Sequence, residues 1–237
     1  HIVSNVEDQK TFDAIVTFLP FCKSIYQIEE LRSFYHLLSS NLIVPSSFVQ
    51  TLIEIDDTEQ RPQVIYSILK ATATSNISNV FIQFLQKCTP EDLDSVWHLD
   101  TFFTTMNELI NGTEPSAPLF LLYRIAPNHE AALALADLPL FISLIQMKSY
   151  LIQRLSIFTV LCNFEDFCTK MTDVDGLLHL LVSSLGDREF MNGAINLIGS
   201  LSSHKVGCRI LNDNGVLELF SQLYLNSSYS DDLKTQM

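Results

Sequence analysis

Apolar residues recur at three- and four-residue spacing along most of the chain. The spacing is clear over 133–145 and again over 177–185. Such a period places apolar side chains on one face of an α-helix, so it predicts amphipathic helices. No stretch keeps the strict alternation of apolar and polar residues that a half-buried strand shows. We therefore predict an all-α chain without a β-sheet.

Prolines and acidic residues mark several predicted helix starts. Proline suits the first helical turn because the N–H that it lacks would have no helical partner there. Asp187, with Glu189 close behind, brings negative charge that favours a helix N-terminus. The prolines at predicted starts are Pro45, Pro62, Pro90, Pro115 and Pro139.

A sequence repeat organises the predicted helices. An aspartate or asparagine that leads into an apolar helix occurs at Asp137, Asp175 and Asn214, which are separated by 38 and then 39 positions. An earlier copy begins at Asp100, 37 positions before the first of these. Each copy is followed by a long helix and then a shorter one. A period near 40 with three helices per unit is typical of a helical solenoid.

The segment 187–223 resembles an armadillo repeat followed by the start of the next. Residues 187–203 resemble the long third helix of the armadillo and HEAT-like families, and 204–212 resemble the short first helix. The resemblance implies a right-handed α-α superhelix of about five to six repeats. We expect a single armadillo-like domain over 1–237, with clear repeats at about 115–225 and divergent repeats at about 1–114. We also expect the sequence to be a fragment of a longer chain.

The resemblance further implies a concave groove lined by the third helices. In peptide-binding members an asparagine near the end of that helix binds the ligand backbone, and a tryptophan often lies one turn earlier. Of the repeats here only one keeps the asparagine, at Asn163, so importin-like recognition of nuclear-localisation peptides is not expected. The candidate groove residues are the two matching positions of each repeat: Tyr66 and Lys70, Phe120 and Arg124, Thr159 and Asn163, and Asn196 and Ser200.

The first half of the chain fits the repeat less well. Lys70 and Arg124 are separated by 54 positions, well above the other intervals. We therefore expect an insertion or an irregular repeat between about 76 and 114. A still earlier groove position is assigned to Leu37.

Composition and charge narrow the classes of partner. The chain is 47% hydrophobic, which excludes global disorder. Its formal net charge is −13, and its 14 lysines and arginines are scattered, which argues against nucleic-acid binding. The acidic balance suits a basic protein or peptide partner, or serves only solubility.

Two further features bear on location. No apolar run is long enough to span a membrane. The five cysteines include no CxxC pair, which indicates a reduced compartment, the cytoplasm or also the nucleus.

Catalytic, metal-binding and cofactor-binding motifs were not found in the sequence. It contains neither a glycine-rich phosphate loop nor a cysteine and histidine cluster with zinc spacing. His179 and His204 have no evident partner in the sequence, and the pairs Asp56-Asp57 and Asp231-Asp232 occupy polar turns. We therefore predict no enzyme activity, no metal and no cofactor.

The function that follows is a non-catalytic protein-interaction module or scaffold, which binds a partner peptide or helix through the concave groove. One alternative is a regulatory or accessory armadillo domain of a larger signalling protein such as a kinase. An unrecognised enzyme is a further alternative.

Overall fold

The structure, a computed structural model, is helical throughout the residues that it describes. These are residues 61–171 and 174–225, together with the single positions 10 and 49. No strand occurs in these ranges, so the all-α prediction is confirmed for them. The predictions at Leu37, Pro45, Asp56-Asp57 and Asp231-Asp232 lie outside the described residues.

Thirteen helices occupy the described ranges. They are α1 (Arg61–Ala71), α2 (Ser78–Lys87), α3 (Pro90–Asp94), α4 (Phe102–Ile110), α5 (Ser116–Ile125), α6 (His129–Ala136), α7 (Pro139–Gln146), α8 (Leu151–Leu161), α9 (Glu165–Lys170), α10 (Val174–Leu185), α11 (Met191–Ser202), α12 (Lys205–Asp213) and α13 (Val216–Leu225).

The chain divides into two compact units between Ile125 and Ala126, and within each unit helices pack at a fixed interval. Among the described helices, six pairs join a helix to the one three places later in the chain. In the first unit α1 contacts α4, and α2 contacts α5. In the second unit α6 contacts α9, α7 contacts α10, α8 contacts α11, and α9 contacts α12. This three-helix recurrence is compatible with an α-solenoid.

The contacts in the first unit correct the sequence alignment there. Helices α2 and α5 pack together, and their first residues, Ser78 and Ser116, are 38 positions apart. Helix α1, which carries Tyr66 and Lys70, packs on α4 instead. The long interval therefore does not require the expected insertion or irregular repeat between about 76 and 114. The unusually long interval arose because Lys70 and Arg124 lie on helices that occupy different positions in the repeat.

Helix starts follow the predicted punctuation in most cases. Pro90 opens α3 behind a capping box, in which Thr89 and Asp92 each bond the other's backbone N–H. Pro139 opens α7, whose first turn has no side-chain cap. The segment that begins at Asp187 first forms a turn, and α11 itself begins one turn later at Met191.

Aromatic rings and one buried cation hold the second unit together. The ring of Phe141 meets the rings of Phe158 and Phe167 edge to face, with centroids 5.8 and 5.6 Å apart. Burying a phenylalanine contributes about 1.5–3 kcal/mol. Arg154 of α8 is 3% exposed and donates to the carbonyl oxygens of Leu144, at 2.7 Å, and Ile145, at 2.8 Å, as well as to that of Met147. The guanidinium thereby caps the C-terminal end of α7, where carbonyl groups lack helical partners.

The described helices are short for a membrane span. None is long and apolar enough to cross a membrane alone, and only the pair α6 and α7, which is bent by 80°, meets that length and composition together.

Candidate binding surface

The four candidate residues of the second unit lie on two helices that pack side by side. Thr159 is on α8 and Asn163 follows its C-terminal end, while Asn196 and Ser200 are on α11. The two helices approach closely at Gly193. A Cβ atom added there would lie 2.9 Å from Cδ1 of Leu155, so the missing side chain permits this contact. The structure thus brings the four candidates of this unit to neighbouring helices.

The solvent-exposed sides of α8 and α11 form one surface, which we call the α8–α11 face. On each helix partly or fully exposed positions recur at three- and four-residue spacing, next to the contact between Leu155 and Gly193. Arg154 is the one charged residue of the two helices, and it is buried. The face is therefore uncharged, and consists mainly of Ile152, Gln153, Ser156, Thr159, Asn163, Asn192, Asn196, Gly199 and Ser203.

The hydrogen-bonding state of the candidates separates them into two pairs. The Thr159 hydroxyl donates to the carbonyl oxygen of Leu155 at 2.7 Å, and Ser200 is only 9% exposed. The side chains of Asn163 and Asn196 are exposed and make no hydrogen bond to other described residues. An exposed amide can both donate and accept, so these two asparagines are the members of the set that are free to bind a ligand.

In the first unit, Tyr66 and Lys70 belong to a local network between α1 and α4. The Tyr66 hydroxyl lies 2.7 Å from Oγ1 of Thr101 and 2.9 Å from Oγ1 of Thr105, and Nζ of Lys70 is 4.4 Å from the Tyr66 ring centroid. The pKa of Tyr66 lies below its usual value. Burial raises this pKa, but the hydrogen bonds to Thr101, Thr105 and Lys70 and the positive charge of Lys70 together lower it by more. These contacts join the two helices, and they leave both side chains engaged within the unit.

Arg124 and Phe120 lie on α5, which has the repeat position expected of them. Nη2 of Arg124 donates to the carbonyl oxygen of Cys88 at 2.8 Å, directly after α2. The guanidinium is thus engaged by the neighbouring repeat, and an Arg124→Glu variant would alter packing as well as any ligand contact. With α2 as the matching helix, Ile82 and Gln86 are the equivalents of Phe120 and Arg124 one repeat earlier, and the sequence alignment missed them.

The chain was compared with known proteins to test the resemblance. Comparison with protein families, with curated proteins and with solved structures found no match. The armadillo resemblance therefore rests on the residues of this chain alone.

A second contact between repeats lies beside two buried thiols, those of Cys162 and Cys168. Nε2 of His204 lies 2.7 Å from the carbonyl oxygen of Cys162 and 3.9 Å from Sγ of Cys168. The pKa of Cys162 lies well above its usual value because its hydrogen bond to Cys168 and its burial favour the neutral thiol. The pKa of Cys168 is lowered because its sulfur accepts that hydrogen bond, against the effects of burial and of Glu165. Within the described ranges, no three His, Cys, Asp or Glu side chains are grouped so that they could hold a metal ion.

An open cavity of about 470 Å³ lies between α7, α8 and α10. Arg154, His179 and Ser183 supply its polar lining, and Ile145, Leu151 and Leu180 supply much of its apolar lining. The Arg154 guanidinium is directed to the backbone carbonyls that end α7, and burial lowers its pKa to about 10, so it remains protonated at neutral pH. The cavity is therefore lined by the buried Arg154 guanidinium and the exposed His179. The guanidinium is already bonded to the carbonyl oxygens at the end of α7.

Proposed function

We propose that this chain is an armadillo-like solenoid that binds an extended or helical segment of a partner protein and catalyses no reaction. The observation that carries the proposal is the α8–α11 face, where two packed helices expose no charged side chain on a chain of net charge −13. Charged residues are generally depleted at the centre of a protein interface, where they would lose water.

The composition of the face suits a protein ligand. The amides of Asn163 and Asn196 can donate to and accept from the backbone of a bound segment, which would otherwise have unpaired groups. Ile152 is 52% exposed and supplies an apolar anchor at the start of α8. Packing of α8 directly against α11 gives the ligand a rigid base, so little ordering of the protein opposes binding.

The test uses a displayed library of natural protein fragments, followed by affinity measurements on individually purified fragments. We expect Asn163→Ala and Asn196→Ala each to weaken binding by about five- to tenfold, as loss of one or two hydrogen bonds implies. Ile152→Glu places a charge on the uncharged face and is expected to weaken binding further.

The matched control is Asn212→Ala, which removes an exposed asparagine from α12. Fragments that bind all variants with wild-type affinity would contradict the proposal, and so would a library that yields no saturable binder. Circular dichroism of each variant separates loss of binding from loss of folding.

A further inference from the structure

Two thiols from consecutive helices of the second unit lie together at a contact between repeats. Cys162 follows the C-terminal end of α8, and Cys168 lies on α9. The Sγ atom of Cys168 is 3.8 Å from the carbonyl oxygen of Cys162, and the two thiols hydrogen-bond to each other. Both residues are buried, with 0% and 3% of their surfaces exposed. The fold therefore holds the two thiols side by side, although they are not neighbours in the sequence.

The surroundings give the two thiols different chemical properties. The pKa of Cys168 lies below its usual value because its sulfur accepts the hydrogen bond from Cys162, against the effects of burial and of Glu165. Nε2 of His204 lies 3.9 Å from the same sulfur. The pKa of Cys162 is instead raised by that hydrogen bond and by burial. Cys168 is therefore the thiol that more readily becomes a thiolate, which is the reactive form.

We propose that Cys162 and Cys168 form a redox modification site, at which hydrogen peroxide converts the two thiols into a reversible disulfide. The thiolate of Cys168 attacks one oxygen of the peroxide, so that an S–O bond forms and the O–O bond breaks. The hydroxide that leaves takes up a proton and becomes water. The Cys162 thiol then loses its proton, and its sulfur attacks Sγ of Cys168 and displaces the bound oxygen as a second water. The two thiols thus lose two hydrogen atoms, and one peroxide becomes two waters.

The placement of the thiols favours a disulfide over further oxidation. A sulfenic acid beside a second thiol condenses with it, whereas an isolated one proceeds to sulfinic acid. Peroxide is little larger than water, so a local opening at the contact between repeats suffices for it to reach Cys168. The bond requires a sulfur–sulfur distance of about 2.05 Å, so the hydrogen-bonded thiols must move towards each other. The reaction takes place on the thiols themselves and does not depend on the α8–α11 face.

The sequence makes this disulfide simple to detect. Trypsin releases both cysteines on one peptide, residues 155–170, and cleavage after Glu165 divides that peptide between them. The folded full chain is treated with hydrogen peroxide, the remaining thiols are blocked with N-ethylmaleimide in denaturant, and the digest is analysed by mass spectrometry. We expect a peptide that is two hydrogen atoms lighter than the reduced one. Its halves should stay joined after cleavage at Glu165 until dithiothreitol is added.

Variants separate the roles of the two cysteines. Cys162→Ala removes the second thiol, so the sulfenic acid on Cys168 should persist, and dimedone should label it about tenfold more than in the wild type. Cys168→Ala should leave Cys162 reduced. The matched control, Cys208→Ala, removes an exposed thiol from α12 and should leave the yield of the disulfide unchanged. Circular dichroism shows whether each variant is folded, and the wild-type digest decides the question even if one is not.

Three results would overturn the proposal. The first is that Cys162 and Cys168 stay reduced at a peroxide concentration that fully oxidises the exposed Cys208. The second is sulfinic acid on Cys168 of the wild type without the disulfide. The third is equal dimedone labelling of Cys168 in the wild type and in Cys162→Ala.

Discussion

His204 joins two repeats through the carbonyl oxygen of Cys162, at 2.7 Å from Nε2. Nδ1 of the same ring accepts from the backbone N–H of Gly207 at 3.4 Å, so the proton resides on Nε2 and is donated to Cys162. Arg124 makes the equivalent bond to Cys88 in the first unit. Cys88 and Cys162 each directly follow a long helix, α2 or α8, so both bonds satisfy a carbonyl group at the same place in the repeat.

We expect His204→Ala to lower the free energy of unfolding by about 1–3 kcal/mol, because it removes a helix cap and the bond to Cys162. Denaturant unfolding followed by circular dichroism measures this change. His179→Ala removes an exposed histidine from α10 and should alter the free energy by less than about 0.5 kcal/mol. Equal effects of the two substitutions would show that the His204 contacts do not stabilise the fold.

Gly207 and Gly199 allow a matched test of how an added side chain changes stability. A Cβ atom at Gly207 would overlap the carbonyl oxygen of Leu201, whereas one at Gly199 meets no atom within 4 Å. Gly207→Ala should therefore cost at least about 2 kcal/mol of stability, while Gly199→Ala should stabilise α11 by about 0.5–1 kcal/mol. The two denaturation midpoints should move in opposite directions, and movement in the same direction would refute the prediction.

Arg154→Met tests whether the buried guanidinium stabilises the fold by capping the C-terminal end of α7. The substitution keeps much of the apolar volume but leaves the carbonyl groups of Leu144 and Ile145 without these donors, so we expect a loss of about 3–5 kcal/mol. Thermal and denaturant unfolding provide the measurement. Arg209→Met, at an exposed position on α12, is the control and should change stability little. A neutral effect of Arg154→Met would mean that water or other groups replace the cap.

Cysteine accessibility gives a prediction about labelling rates. Cys208 is exposed, while Cys88, Cys162 and Cys168 are buried. Because alkylation requires contact between reagent and thiolate, Cys208 should react with iodoacetamide well before Cys88, Cys162 and Cys168 in the native protein. Peptide mapping by mass spectrometry resolves the sites. Early labelling of Cys162, whose pKa is raised, would disagree with the packing around His204.

The sequence predicted much of the helical architecture, because its apolar period and its capping residues act locally. Thr89 and Pro90 mark the start of α3, and Pro139 marks that of α7. The start of α2 was missed because Ile77, the residue before it, offers no capping side chain. Without that boundary, Lys70 was aligned to the wrong helix of the repeat.

The candidate surface was predictable only in part. Asn163 and Asn196 could be assigned from repeat position, since equivalent positions face the same way along a stack. The burial of Ser200 and the hydrogen bond from Arg124 to the carbonyl oxygen of Cys88 depend on contacts between helices that are far apart in sequence. A local sequence pattern does not encode such contacts.

The packing of each helix on the one three places later has an evolutionary consequence. Among the described helices of each unit, the main contacts of a group of three consecutive helices are with the neighbouring groups of three. An in-frame duplication or deletion of about 38 codons, the period seen between α2 and α5, would add or remove one whole group while retaining the same kinds of junction. Length can therefore change in this architecture by discrete steps, and each step would extend or shorten the surface offered to a partner.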